Sequence, residues 1–261
     1  MNYEQLEFDI VRWIKDYYYM YGLKSLVVGV SGGIDSAVTS TLCAKTDLPV
    51  HALGMPLRQD PDQETLSDRH LEWLSLNYPN VRQHKYDLTS TFDTFIDTIG
   101  PQFSSPHAEA NTRSRLRMVV LHHIAATNRG IVVGTGNKVE DYGVGFFTKY
   151  GDGGVDISPI ADLYKTQVWA LGDHMGICQE IIDAEPTDGL WDDKRTDESQ
   201  LGSSYEMLEW VMENNIPENK ADDYDEEQRA AIVQYHKFNT MNKHKMLPIP
   251  TFKLEKNYEL G

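Results

Sequence analysis

Apolar positions along this chain fall into two alternating rhythms. Leu6, Ile10, Trp13, Ile14 and Tyr17 recur at helical spacing and predict an amphipathic helix over about residues 3–21. The unbroken run "SLVVGV" that follows reads as a buried strand, and a helix is predicted from Ser36 to about Lys45. "LPVHALGM" predicts a second strand, followed by a helix through "DQETLSDRHLEWLSLNY". "VRQHKYDL" is a third strand, and "TSTFDTFIDTIG" a short helix. A long helix over about 110–128 leads into "GIVVGTG", the fourth strand. Strands alternating with helices predict an α/β fold, a doubly wound parallel sheet whose right-handed crossovers place flanking helices on both faces.

After Gly136 the rhythm breaks. Residues 137–159 are rich in Gly and Asp and poor in periodicity, and a loop of that length is expected to serve the function. Helical spacing returns at "LYKTQVWALGDHM", and a second polar stretch, 185–200, reads as a mobile loop. Two helices, about 202–214 and 222–241, precede the tail "MLPIPTFKLEKNYELG". With no internal repeat and no low-complexity segment, residues 1–261 are expected to form a single domain.

Composition narrows the partners. Apolar residues make up 40% of the chain, enough for a sizeable core. Twenty-four Lys and Arg against 40 Asp and Glu leave a net charge of −16, which repels nucleic acid and anionic membranes. Neither is an expected partner, and an anionic small substrate has to meet a local basic cluster. Cys43 and Cys178 form no C-x-x-C pair, so a reduced, cytoplasmic setting is the simple reading. No apolar run approaches the ~18 residues of a membrane span.

The stretch "VVGVSGGIDSAV" carries the clearest chemistry. Ligands of open α/β sheets bind where strands end. There Gly29, Val30, Ser31, Gly32, Gly33, Ile34, Asp35 and Ser36 form a turn into a helix. Its glycines expose backbone N–H groups, the helix start adds partial positive charge, and two serines add hydroxyls. The product is an anion cradle without the lysine of a Walker loop. Asp35 repels phosphate unless a divalent cation bridges them, so it reads as a Mg²⁺ ligand. The plainer reading is a tight strand–helix turn with an Asp near the cap.

S-G-G-x-D-S at 31–36 resembles the pyrophosphate loop of the ATP pyrophosphatase superfamily, which has an adenine nucleotide alpha hydrolase-like fold. The segment "VVGTGNKVEDYGVGFFTKYGDGGVDISPIADLYKTQV" closely resembles the central motif of NAD synthetases, and with "NTRSRLRM" the likeness spans residues 29 to 190. A weaker match, "HKM", lies near the end. The resemblance implies amidation of deamido-NAD by ammonia, with ATP as co-substrate and Mg²⁺ as cofactor, in the final step of NAD biosynthesis. It implies that Glu140 shares Mg²⁺ with Asp35, that Thr135, Lys165 and Thr187 contact ATP, and that Lys165 grips phosphate. Arg115, Lys149 and Asp156 are then expected at the deamido-NAD site, with Lys149 and Asp156 at the nicotinate end and Asp156 toward ammonium. His244 and Lys245 match a pair that binds deamido-NAD across the interface of a homodimer. No glutamine amidotransferase domain is expected, because the predicted N-terminal helix fills the space before residue 31.

The chain departs from the family at Thr135-Gly136-Asn137, where many bacterial members have Thr-Asp-His, and at Met246, where many have Arg. Two rival readings are another enzyme of the superfamily acting on a different nucleotide or on tRNA, and a module that senses ATP without turnover.

Overall fold

A computed structural model describes residues 1–187, 189–191 and 195–254. The chain runs α1 (Tyr3–Met20), β1 (Leu26–Gly29), α2 (Ile34–Ala44), β2 (Val50–Gly54), α3 (Pro61–Asn77), β3 (Val81–Lys85) and α4 (Thr89–Ile99). It continues through α5 (Pro106–Thr127), β4 (Ile131–Val133), α6 (Lys165–His174), α7 (Gln179–Ile182), α8 (Asp197–Leu201), α9 (Tyr205–Glu213) and α10 (Glu226–Met246). The four strands are the predicted ones. They pair in parallel in the order β3-β2-β1-β4, with Val28 beside both Ala52 and Val133.

Successive side chains of a strand point to opposite faces, and the core divides accordingly. Leu26, Val28, Val50, Ala52, Ile131 and Val133 pack on one face with Ile14 of α1, Leu42 of α2, Leu74 of α3 and Leu171 of α6. Val27, Leu53 and Val132 pack on the other with Phe92 of α4 and Met118 and Leu121 of α5. Burial on both faces is why the strands read as unbroken apolar runs. A third cluster of Val139, Val144, Tyr164, Leu201, Tyr205 and Leu208 joins the segment after β4 to α8 and α9.

The strand order fixes where a ligand fits. From β1 the chain steps outward through β2 to β3, then returns to place β4 on the opposite side of β1. The crossovers from β1 to β2 and from β2 to β3 run over one face and that from β3 to β4 over the other, so the order switches at β1 and β4, where a crevice opens beyond the carboxyl ends.

Element ends differ from the periodic reading where caps decide them. α5 begins at Pro106, ahead of the predicted 110, because Ser105 Oγ accepts the Ala108 N–H and proline suits the first helical position. α10 lies later than 222–241, because Asp225 caps its start by accepting from Gln228 N–H. The expected loop 137–159 carries an element of its own, a π-helical turn over Val139–Val144 closed by Gly145 at φ 64°. The expected loop 185–200 lies partly outside the described residues, at 188 and 192–194, and its end forms the start of α8. The tail beyond 254 is also outside them. Among the described residues, no helix is long and apolar enough to cross a membrane.

Candidate active site

The turn after β1 shows why its residue types are needed. Gly32 has φ 95°, and a Cβ there would lie 2.5 Å from the Gln63 backbone oxygen, so the turn presses directly on α3. Ser36 Oγ accepts from Ser31 N–H at 3.1 Å and donates to Gly33 O at 2.9 Å, closing the turn on itself. Gly33 starts α2 without any side-chain cap. The first amides of the helix are thus left to another acceptor.

Three chain segments meet beside that turn. Lys165 opens α6 and is 2% exposed. Its Nζ donates to Asp35 Oδ2 at 2.5 Å and to Glu140 Oε1 at 3.2 Å. Glu209 fixes the start of α6 by accepting from Thr166 N–H at 3.0 Å and Thr166 Oγ1 at 2.6 Å. Asn137, fully buried, caps the π-helical turn by accepting from Val139 N–H and Glu140 N–H, and its Nδ2 donates to Asp35 Oδ1 at 3.5 Å. Tyr205 OH donates to Glu140 Oε1 at 2.6 Å.

These residues line one end of a cleft of about 260 Å³. Gly29, Val30, Ser31, Gly33, Ile34, Asp35, Ser36, Thr135, Glu140, Lys165 and Thr187 all face it, so the sequence-predicted ATP set converges there. Gly32 does not line it; its part is the bend. Met55, Met118, Leu121 and Val132 add an apolar wall suited to an aromatic base. The three spaced arginines diverge as helical geometry requires. Arg113 is buried and donates to Leu190 O, Arg117 donates to Met55 O and Gln59 Oε1, and Arg115 is exposed and donates to Lys149 O at 3.3 Å.

The residues expected at the dinucleotide form a second group. Lys149 Nζ donates to His244 O at 2.9 Å, and Lys245 Nζ donates to Phe147 O at 2.7 Å. Within a single chain, then, the end of α10 already lies against the 147–149 segment. Asp156 stands apart: its Oδ2 accepts from Val132 N–H at 2.7 Å and its own N–H donates to Val132 O, so it extends the β4 edge and does not line the cleft. The cleft-facing carboxylate of "YGDGG" is Asp152, held by Ser114 Oγ at 2.6 Å and Thr148 N–H at 3.0 Å.

Charge is concentrated here. Burial pushes the Asp35 carboxyl up to about 6, against the pull of Lys165 and with a push from Glu140. Burial disfavours the charged form of Lys165, but Asp35 and Glu140 outweigh it and hold its pKa above the ordinary lysine value. Asp141 follows Glu140 in the π-helical turn and packs on Gly136, where a Cβ would collide with its carboxylate. Burial, with repulsion from Glu140, Asp152 and Asp35, pushes Asp141 up to about 8. Among the described residues, no three His, Cys, Asp or Glu side chains gather as a self-sufficient metal cage. Two carboxylate ligands suit Mg²⁺, which takes its remaining ligands from phosphate and water. Asp35 and Glu140 share one cation, Lys165, in this structure.

The chain matches the NAD synthase family over residues 7–248. The chain belongs to the NAD synthase family. The NH(3)-dependent NAD(+) synthetase of Finegoldia magna is 38% identical over 217 residues, 82% of this chain and 86% of that protein. The NMN synthetase of Francisella tularensis has a structure with TM-score 0.85 and 29% identity, covering 97% of this chain and all of that one. The NH3-dependent NAD synthetase of Campylobacter jejuni, solved with nitrate, gives TM-score 0.77 at 24% identity and the same coverage, a likeness of fold.

Several residues around this cleft of the NAD synthase chain carry no marked signal in the sequence. Met55 was findable from its place at the end of β2, and Asn137 from its place after β4. Asp141, Asp152, Asp197 and Tyr205 had no local signal, because tertiary packing brings them in.

Two outcomes test the site's construction by denaturation of the ligand-free protein. Gly32→Ala should cost about 2 kcal/mol or more, from its positive φ and the backbone collision. Gly33→Ala should cost less than about 1 kcal/mol, since φ is −86° and its nearest Cβ neighbour is Ser31 Oγ at 3.5 Å. The raised Asp141 pKa means the folded protein binds a proton that the unfolded chain releases near the ordinary value of 3.8. Stability therefore falls as pH climbs from the ordinary carboxylate range toward about 8. Asp141→Asn should reduce that slope, leaving the part due to Asp35 and Asp152, and raise Tm at pH 8 by about 4 °C or more.

Proposed function

We propose that this protein makes NAD by ATP-dependent amidation of deamido-NAD with free ammonia, releasing AMP and pyrophosphate. The observation that carries this reading is the meeting of the uncapped 31–36 turn with Asp35, Glu140 and Lys165 in one cleft. A pure ATP sensor has little need of that carboxylate pair. The NH(3)-dependent relative supports ammonia as the nitrogen source.

Asp35 and Glu140 would hold Mg²⁺, which neutralises phosphate charge when bound. The amides of residues 31–36 receive the departing pyrophosphate, and Lys165 turns from the carboxylates to a phosphate oxygen. Thr135 and Thr187 flank the nucleotide, and the Met55–Leu121 wall takes the adenine. Lys149 and Lys245, with Arg115 beside them, attract the nicotinate carboxylate despite the chain's net charge of −16. A carboxylate oxygen bonds to the α-phosphorus as the bond from that phosphorus to the pyrophosphate oxygen breaks. Ammonia, formed by loss of a proton from ammonium, then bonds to the acyl carbon, the added nitrogen gives up a second proton to solvent, and the bond from the acyl carbon to the AMP oxygen breaks, so that AMP leaves with the carboxylate oxygen. The catalysis is positioning and charge neutralisation. Asp152 faces the cleft where ammonium would lose its proton, a better-placed acid than Asp156. Thr187 and Leu190 line the cleft, and Arg113 donates to Leu190 O, so this side helps to exclude water that would hydrolyse the adenylate.

The protein acts as a homodimer in the cytoplasm. Exposed Phe8, Trp13 and Tyr19 on α1 and Val119 on α5 support association of two copies, and unpaired Cys43 and Cys178 support a reducing compartment. A second reading of the acceptor, nicotinate mononucleotide, is favoured by the higher structural likeness to the NMN synthetase than to the Campylobacter jejuni enzyme. The amidation chemistry is the same, and only the missing adenylyl half differs.

One assay separates the readings. Protein, MgATP and ammonium are incubated with each acceptor, and AMP, pyrophosphate and amidated product are counted. The expected result is stoichiometric product, with kcat/KM for deamido-NAD at least about tenfold above the mononucleotide. The reverse order establishes the second reading, and ATP binding without AMP from either acceptor overturns both. Asp35→Ala should lower pyrophosphate release by about 100-fold or more with the fold intact by circular dichroism.

A further inference from the structure

Glu140 is held from behind by a residue that the reaction itself does not call for. Tyr205, the first residue of α9, is fully buried, with its ring edge-on to Trp169 at 6.1 Å between centroids and 4.9 Å from Lys165 Nζ. Its hydroxyl donates to Glu140 Oε1 at 2.6 Å, the oxygen that also accepts from Lys165 Nζ at 3.2 Å. A carboxylate oxygen has two lone-pair sites. Tyr205 and Lys165 together account for both on Oε1, so Oε2 is the atom Glu140 has to offer. On its other side the Tyr205 hydroxyl lies 3.3 Å from Asp197 Oδ2. Asp197 N–H donates to Pro186 O at 2.9 Å, at the base of the segment that brings Thr187 into the cleft.

We propose that Tyr205 is a positioning residue: its hydroxyl fixes the Glu140 carboxylate in the orientation that binds a divalent cation. The inference rests on the reading of Asp35 and Glu140 as the Mg²⁺ pair. Glu140 sits in a π-helical turn, whose backbone bonding is looser than that of an α-helix, so an outside constraint on its side chain has more to do. Ring packing alone needs only a phenylalanine; the hydroxyl, placed in a dry site beside carboxylates, needs another reason. Orientation of a metal ligand by a hydrogen bond from behind is such a reason, and losing one costs 10–100-fold in metal affinity or activity in known sites.

The test measures Mn²⁺ binding by the loss of the free-ion EPR signal, with the α,β-methylene analogue of ATP present so that no turnover occurs. Tyr205→Phe should weaken binding by about tenfold or more, Glu140→Gln by at least as much, and the double variant no more than Glu140→Gln alone. KM for deamido-NAD should change less than twofold in Tyr205→Phe, which a general loosening of the fold would not spare. Should Tyr205→Phe not fold, p-aminophenylalanine and p-methylphenylalanine at 205 make the same comparison at matched size, the amine expected to bind Mn²⁺ at least about tenfold more tightly. Binding within twofold of wild type in the Phe or p-methyl variant, while Glu140→Gln is weakened, overturns the positioning role and leaves the metal reading standing. Unchanged binding in Glu140→Gln overturns the metal reading and the inference with it. Losses that add in the double variant show that Tyr205 acts elsewhere and also overturn it.

Discussion

The site depends on one buried ammonium. Lys165 Nζ joins Asp35, from the turn after β1, to Glu140, from the segment after β4. Without that cation, two carboxylates would face each other in a nearly dry space, and breaking a buried pair of this kind leaves an uncompensated charge that costs about 3–5 kcal/mol. The surrounding architecture serves the contact. Glu209 holds the start of α6, Asn137 caps the π-helical turn and touches Asp35, and Tyr205 takes Glu140 from behind. The strand order places both carboxylates at the crevice between β1 and β4, so the fold and the chemistry share one point.

The same arrangement reconciles an acidic protein with anionic substrates. The surface field of a chain with net charge −16 opposes a dinucleotide and a triphosphate alike. The basic groups that oppose this field are few and local. Lys165 lines the cleft, while Arg115 donates to Lys149 O, Lys149 to His244 O and Lys245 to Phe147 O. Burial shifts Lys245 downward from the ordinary lysine value, with Asp152 pulling the other way, so this lysine too is tuned by its neighbours. Burial first, and then repulsion from Glu140, Asp152 and Asp35, pushes the Asp141 carboxyl upward.

Much of this was legible before any coordinates. The strands follow from unbroken apolar runs, and the turn follows from glycine and serine chemistry over a few residues. The family motif singles out Lys165, Thr135 and Thr187, which line one cleft; without it a lone lysine at a helix start reads as solvated. The π-helical turn was not legible, because its spacing breaks the 3.6 period in a Gly-rich stretch and leaves no pattern. Tyr205, Asp197 and Asp141 were hidden for a different reason: nothing near them in sequence shows that helical packing turns them on Glu140 and Gly136. Asp156 bonds the β4 backbone and does not line the cleft; spacing cannot tell a carboxylate that faces a cleft from one that accepts a strand's backbone N–H. The family pattern alone points His244 and Lys245 to the dinucleotide; within one chain His244 O accepts from Lys149 Nζ and Lys245 Nζ donates to Phe147 O.

The central claim is that the 31–36 turn and the Asp35–Lys165–Glu140 contact together receive the phosphates of ATP. A crystal structure with Mg²⁺, deamido-NAD and the α,β-methylene analogue of ATP tests it most directly. The account predicts the β- and γ-phosphates on the amides of residues 31–36, a metal ion between Asp35 and Glu140, and Lys165 Nζ moved onto a phosphate oxygen. A triphosphate bound elsewhere, with Lys165 still joining the two carboxylates, would contradict it.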